Sequence, residues 1–474
     1  MDRYWVGGTG TWNTSSTTNW SASSGGASGA SVPTAADSVF FDQAGTYTVT
    51  CTGALTCLDF TVSAGTVTFA SGTSPTFAIS GSMSLLNGTV WNGGAIFFNA
   101  TTTGKTVTTN GTVINAGATP VTFNGIGGAW TLGSALTTNG TASAITVTNG
   151  TFDTGGYSVS TGIFSSSNSN TRTINLNSST VTLTNASTPL IFTTAINLTF
   201  NAGTSQINIS GSTVTFNGGS KTFYNVSFTA TTAADASIAG ANTFNNLTIT
   251  GRTTIGITVF TINANQTING TFTVNAGTAS AYRTMIASNT LGASRTLTCA
   301  AESLTDVDFR DITAAGAASP FTGTRLGDCK GNSNITFDAA KTVYYRGTAS
   351  ANWGATGTGN WSATSGGSFD ATQFPLAQDT AVFPAATYPA SGSTITINAG
   401  YNIGTIDMSL RTSNTMTLST ISVTPTVYGN WINGTGTTLS GSGTQIITFA
   451  GRTTQQITSA GRSFTQELAI TSPS

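Results

Sequence analysis

Apolar and polar residues alternate in short runs along most of this chain. Thr46-Tyr47-Thr48-Val49-Thr50, Thr66-Val67-Thr68-Phe69, Ala144-Ile145-Thr146-Val147 and Gln206-Ile207-Asn208-Ile209 each put an apolar side chain at every second position. Successive side chains of a strand point to opposite faces, so each run predicts a strand with one face inward. No stretch sustains the i, i+3, i+4, i+7 spacing of an amphipathic helix, and the helix formers Leu, Glu and Lys are scarce. Nine Asn-Gly dipeptides, among them Asn87-Gly88, Asn110-Gly111, Asn139-Gly140 and Asn217-Gly218, punctuate the runs. Asn and Gly both tolerate positive φ, so these are turn positions. The fold class read from this pattern is all-β.

Asn-Gly turns also suit antiparallel hairpins, but repetition favours a parallel β-solenoid, or β-helix. Lys221-Thr222-Phe223-Tyr224-Asn225-Val226-Ser227-Phe228 is matched by Asn242-Thr243-Phe244-Asn245-Asn246-Leu247-Thr248-Ile249, and Arg462 to Ile470 reads as the same element again. A period near 20 with short strands predicts coils that stack like on like, with Asn ladders tying the turns. A longer repeat lies over this one. The Trp12 to Gly26 segment returns as Trp353 to Gly367, with Trp353, Trp361, Ser362, Ala363, Ser365, Gly366 and Gly367 in register. Pro375, Asp379 and Phe383 answer Pro33, Asp37 and Phe41, and Thr405-Ile406-Asp407-Met408 echoes Cys57-Leu58-Asp59-Phe60. The expected divisions are a Trp/Gly-rich opening module at 1–62, a solenoid body at 63–282, an acidic junction at 283–340, and at 341–474 a second, incomplete copy. The chain finishes at Thr471-Ser472-Pro473-Ser474 on a Phe-bearing element, which reads as a fragment or as an end covered by a partner.

Composition narrows the chemistry. Charged residues are 7% of the chain and the net charge is −1, with no basic cluster to displace counterions, so nucleic acid is not an expected partner. No apolar window approaches the ~20 residues of a membrane-spanning helix, and Met1-Asp2-Arg3-Tyr4-Trp5 carries no secretory signal pattern. Twenty-six Phe and eight Trp argue against disorder. Cys51, Cys57, Cys299 and Cys329 form no CxxC pair, and small buried thiols are as consistent with them as two disulfides.

The chain has no His, which removes Ser-His-Asp, Cys-His and His-bearing zinc chemistry, and no cofactor is expected. Acids concentrate once, at Glu302, Asp306, Asp308 and Asp311 with Asp328 nearby. If 304–310 is one strand, Asp306, Asp308 and Arg310 share a face. That spacing suits a glycosidase carboxylate pair (Asp306, Asp308). It also suits an oxygen-ligand Ca²⁺ site (Asp306, Asp308, Asp328). The favoured reading is structural, an ion-pair cluster that also involves Arg325. Asp37, Asp379, Asp59 and Asp407 read as turn residues. Trp5, Trp12, Trp20, Trp353 and Trp361 are candidate sugar-stacking platforms, weighed against core filling in a Gly-rich module.

Tyr4-Trp5-Val6-Gly7-Gly8-Thr9-Gly10-Thr11-Trp12, Asn19-Trp20-Ser21, Val32-Pro33-Thr34-Ala35-Ala36-Asp37, Leu304 to Ile312 and Gly327-Asp328-Cys329-Lys330-Gly331-Asn332 together resemble Gly/Thr-rich repeat proteins of tailed bacteriophages. These are tail-fibre or other virion surface proteins, with related stretches in bacterial surface adhesins. The second copy departs from the pattern by carrying Tyr344-Tyr345-Arg346-Gly347 for Tyr4-Trp5-Val6-Gly7. The resemblance implies a non-enzymatic, extracellular virion surface protein, a rigid spacer with glycan or host-receptor binding. Its implied partners are other virion proteins and further copies of itself, a trimer being favoured. The alternatives are a tailspike-type polysaccharide depolymerase and a capsid or tail assembly component without a receptor.

Overall fold

The alternating runs pair in parallel, each with its counterpart one coil later. The structure is a computed structural model that describes the chain except residues 119, 232–234, 276–278, 358, 386–387 and 472–474. It is all-β, with parallel sheets forming a solenoid of about 18 turns in all. The chain divides into two compact units, Met1–Phe228 with Ala239–Phe244, and Thr229–Ile238 with Asn245–Ser474.

In the first unit a coil contributes strands to three sheets. One sheet steps from Thr46–Cys51 to Thr66–Ser71, Val90–Asn92 and Val113–Ile114. Val49 thereby meets Phe69, Phe69 meets Trp91, and Trp91 meets Ile114. Coil length is less regular than the expected period. Paired residues lie 19 apart at Asn208 and Ser227 and 26 apart at Arg172 and Leu198, because the corners absorb insertions while the strands hold register.

Inward residues build an aromatic column. Phe69 lies 5.0 Å from Trp91, Phe98 4.9 Å from Phe123, and Phe123 4.6 Å from Phe152, centroid to centroid. Each such pair is worth ~0.5–1.5 kcal/mol beyond the area it buries. Outside, short ladders form as expected: Asn115 donates to Asn92 Oδ1 and Asn149 to Asn124 Oδ1, both at 2.8 Å. Asn110 and Gly111 turn a corner with φ of 47° and 87°, the left-handed region that Asn-Gly tolerates. Gly125 serves differently, since a Cβ there would lie 1.7 Å from the Ala100 carbonyl oxygen of the coil below.

In the second unit the strands Gly256–Ile262, Tyr282–Ser288, Val307–Arg310 and Gly327–Asp328 are neighbours in one sheet, so the boundary expected at 282/283 falls inside a strand. A fresh set of three parallel sheets, of six, four and four strands, begins at Thr342–Tyr345. This second stack lies against the outward face of the strands before it. Met285, Ala287 and Cys329 pack with Ala377, Tyr428 and Ala450. Tyr282–Ser288 is accordingly buried on both faces from Arg283 onward, where body strands alternate.

Antiparallel pairing occurs in the two Trp modules. Trp5 pairs with Trp20 and Tyr345 with Trp361, so Tyr345 occupies the Trp5 position. Two sequence echoes are out of place. Val39 pairs with Phe60 and its counterpart Ala381 with Ile406, so Phe60 corresponds to Ile406 and not to Met408. Glu467–Ile470 joins the third sheet of its stack, whereas Thr222–Phe228 lies in the second sheet of the first stack. The corners between strands, which carry no alternating signal, set both registers. All four cysteines are free and buried, and burial pushes the Cys51 and Cys299 thiols up to about 12. The chain end at 472–474 lies outside the described residues.

Candidate functional site

The acid concentration folds into a buried ion cluster within the second unit. The strand expected over 304–310 is broken: Arg295–Thr305 ends, Asp306 turns the corner at a φ of 59°, and Val307–Arg310 begins. A carboxylate can take that backbone position because Asp, like Asn, bonds its surroundings locally there. Asp306 and Asp308 therefore converge from a corner and a strand onto one point, and that point is Arg283.

Arg283 is 1% exposed at its side chain. Its Nε and Nη2 donate to Asp308 Oδ1 at 2.9 and 2.5 Å, its Nη1 to Asp306 Oδ1 at 3.3 Å, and its Nη2 also to the Arg325 carbonyl at 2.9 Å. Arg325 closes on Asp306 with two parallel bonds of 2.6 Å, the bidentate geometry that makes Arg–carboxylate pairs strong. The remaining oxygen of Asp308 accepts from Asn402 Nδ2 of the second stack at 2.9 Å. Two cations thus balance two anions. Burial alone would lower the Arg283 pKa, but Asp308 and then Asp306 overcome it and raise it.

This arrangement corrects two alternatives. Asp306 and Asp308 do not flank an open sugar groove: both residues are 0% exposed, with an arginine between them. They do not gather a cation with Asp328 either. Asp328 bonds Lys330 Nζ and Asn332 Nδ2, each at 3.0 Å. Among the described residues no three His, Cys, Asp or Glu side chains are placed to hold a metal. Asp311 is a second tie across the stacks, accepting from Arg452 at one oxygen and from the Gly292 N–H at the other. Glu302 receives the Thr322 N–H and hydroxyl.

The five tryptophans proposed as platforms are interior. Trp5, Trp20 and Trp353 are 0% exposed, and Trp12 and Trp361 are 1%. Trp12 meets Trp20 edge-on at 5.0 Å and Phe77 at 5.5 Å; Trp353 meets Trp361 at 4.7 Å. In a module this rich in Gly and Ser, indoles supply the volume that small side chains cannot.

The duplicated aspartates hold turns in the same way. Asp37 Oδ2 accepts from the Thr34 N–H at 3.0 Å, and Asp379 Oδ2 from the Leu376 N–H at 2.9 Å. Their other oxygens receive the Met1 ammonium at 3.0 Å and the Lys341 N–H at 3.0 Å. Burial would raise Asp37, but Thr34 and the Met1 ammonium hold it down to about 2. At Asp379 burial outweighs the Leu376 and Lys341 N–H donors and the Lys341 charge, and raises it. Asp59 accepts from the Ser82 N–H at 2.7 Å and Asp407 from the Ser409 N–H at 2.9 Å, so these too serve backbone.

One feature escaped sequence reasoning. A cavity of about 200 Å³ opens in the first module between Trp12-Asn13-Thr14 and Val32-Pro33-Thr34, floored by Ala54-Leu55-Thr56. Nothing in the local pattern announces it: it lies beside Ala54–Cys57, the terminal strand of the third sheet among the described residues. No protein-family model, curated protein or solved structure matches this chain.

Proposed function

We propose that the chain is a non-enzymatic structural and adhesive protein of a virion surface, extracellular in its working state, whose solenoid serves as a stiff spacer. The observation that carries this reading is the fate of its acids. Asp306, Asp308 and Asp311, the core of the single acidic concentration, are spent on Arg325, Arg283 and Arg452, and Asp308 and Asp311 also meet the second stack through Asn402 and Arg452. Outward strand positions are instead tiled with uncharged Thr, Ser and Asn. Such faces offer hydroxyl and amide groups to a host glycan or receptor, and they stack without charge repulsion. Other virion proteins and further copies, a trimer among the arrangements, are the partners this role calls for.

The test combines labelling and chemistry. Antibody against the purified chain is expected to decorate phage particles from the source strain, and the protein to bind host cells without releasing reducing ends from their polysaccharide. Reducing ends released by the wild type, and lost in an Asp308→Asn variant that folds normally, would establish the depolymerase instead. Particle labelling without cell binding would establish the assembly component.

A further inference from the structure

The nine Asn-Gly pairs differ in what the coils leave free. An Asn side chain closes on its own backbone when its amide carbon meets the nitrogen of the next residue, and glycine puts no side chain in the way. Closure needs both groups loose. Asn92 Oδ1 accepts from Asn115, and Asn124 Oδ1 from Asn149, each at 2.8 Å, so the Asn92, Asn124 and Asn149 amides are held in ladders. Asn110 donates to the Leu85 carbonyl at 2.8 Å. Asn433 is 2% exposed and bonds Trp431 Nε1 and the Ser459 carbonyl. In two other pairs the backbone is engaged or packed. The Gly218 N–H donates to the Ala239 carbonyl at 3.3 Å. Asn269-Gly270 lies inside the strand Gln266–Asn275, where a Cβ on the glycine would clash with Asn246 Oδ1.

Asn87-Gly88 and Asn139-Gly140 are left open. The first pair turns the corner before Val90–Asn92, and the second turns the corner after Leu136–Thr138. All four residues are exposed. Among the described residues neither Asn side chain, and neither glycine N–H, has a hydrogen-bond partner. Around Gly88 even a Cβ would meet nothing within 4 Å. Asn139 stands where a ladder stops. Ile114 pairs with Thr138, which sets Asn139 in line with Asn115, yet Asn115 donates to Asn92 and no bond continues the ladder to Asn139.

We propose that Asn87 and Asn139 are modification sites, converted to acids by succinimide formation while the stacked coils protect the other pairs. The Gly88 or Gly140 nitrogen adds to the Asn amide carbon and gives up its proton. The Cγ–Nδ2 bond breaks, and ammonia leaves. Water then opens the ring at either carbonyl, giving Asp or its β-linked isomer, with no oxidant or reductant involved. Each conversion adds one negative charge to a chain whose net charge is −1. Both sites are corners outside the strand ladders, so the modified chain keeps its fold. The inference stands apart from the spacer role.

Peptide mapping by mass spectrometry tests it. The folded protein is held in warm, mildly alkaline buffer beside a sample in denaturing urea, which exposes every pair alike. A held amide must first break a hydrogen bond, so Asn87 and Asn139 are expected to convert about fivefold or more faster than Asn92, Asn124 and Asn149 in the folded chain. In urea that difference is expected to vanish. The double variant Asn87→Gln/Asn139→Gln is expected to lose the early acidic forms on ion exchange and to keep the wild-type circular dichroism. Equal rates in the folded chain, faster conversion at the laddered residues, or early acidic forms that survive in the double variant would each overturn the proposal.

Discussion

Replacing Arg283 with Met removes the centre of the buried cluster and leaves its neighbours in unequal states. Asp306 keeps both 2.6 Å bonds from Arg325. Asp308 loses both of its guanidinium bonds and retains the Asn402 amide, at a residue 0% exposed. One carboxylate is therefore left buried without a countercharge, a loss of ~3–5 kcal/mol in comparable pairs. At ~2–4 °C per kcal/mol for a unit of this size, the second unit is expected to melt on the order of 10 °C lower. Solenoids unfold in parts, so the informative assay is amide hydrogen exchange across Tyr282–Ser288 and Val307–Arg310, which reads local opening directly. Asp308→Asn is the milder change, since Arg283 keeps Asp306 and the Arg325 carbonyl, and should cost ~1–3 kcal/mol. Removing both partners as Arg283→Met/Asp308→Leu should recover much of the loss, because an apolar pair owes no desolvation. An Arg283→Met protein with unchanged exchange, within ~1 kcal/mol, would refute the view that the cluster holds these strands.

Two further predictions concern the duplicated modules. Asp37 sits at about 2 when folded against ~3.9 unfolded, so its stabilising effect is complete above the unfolded value and is lost as pH falls through about 2. Asp379 is raised, so its effect has the opposite sign and declines as pH rises past the unfolded value. Urea denaturation between acid and neutral pH should therefore show a flatter acid limb for Asp37→Asn and, for Asp379→Asn, a smaller loss of stability as pH rises past the unfolded value; identical profiles would contradict the assignment. Trp12→Ala should cost ~3–5 kcal/mol in the first unit, as a large core deletion does. Tryptophan fluorescence during denaturation would show it, and a fully stable variant that loses glycan binding would return Trp12 to a platform role.

Much of the fold was legible because strands such as Thr66–Ser71 carry their facing information locally, and stacking multiplies it. The side-by-side docking of the second stack was less so. Arg283 and Asp308 are 25 residues apart, one coil, and their meeting depends on Asp306 adopting positive φ at a corner. A usable signal was present in Met285-Ile286-Ala287, three consecutive apolar residues where body strands alternate. Continuous apolar runs mark strands covered on both faces, and here the cover is Tyr428 and Ala450. The tryptophans misled for a simpler reason. Flat rings suit sugars and cores alike, and sequence alone does not say which face of a two-residue strand such as Trp20–Ser21 turns inward.

The scarcity of charge follows from the same stacking. An outward residue in a parallel coil has its counterpart directly above, at ~4.8 Å. Were both charged alike, the repulsion would be ~0.9 kcal/mol in water and several times that against a protein surface. Repeated over many coils, such a column would oppose the stack that creates it, whereas Thr, Ser and Asn gain from their own kind, as Asn92 and Asn115 show. Acidic residues become tolerable where the column meets something other than itself. At Asp308 the neighbour is Met285 in the ladder and the countercharge is Arg283, with Asn402 arriving from the second stack. At Asp308 and Asp311 charge thus stands where a coil stops facing a copy of itself, each carboxylate taking a partner from the second stack.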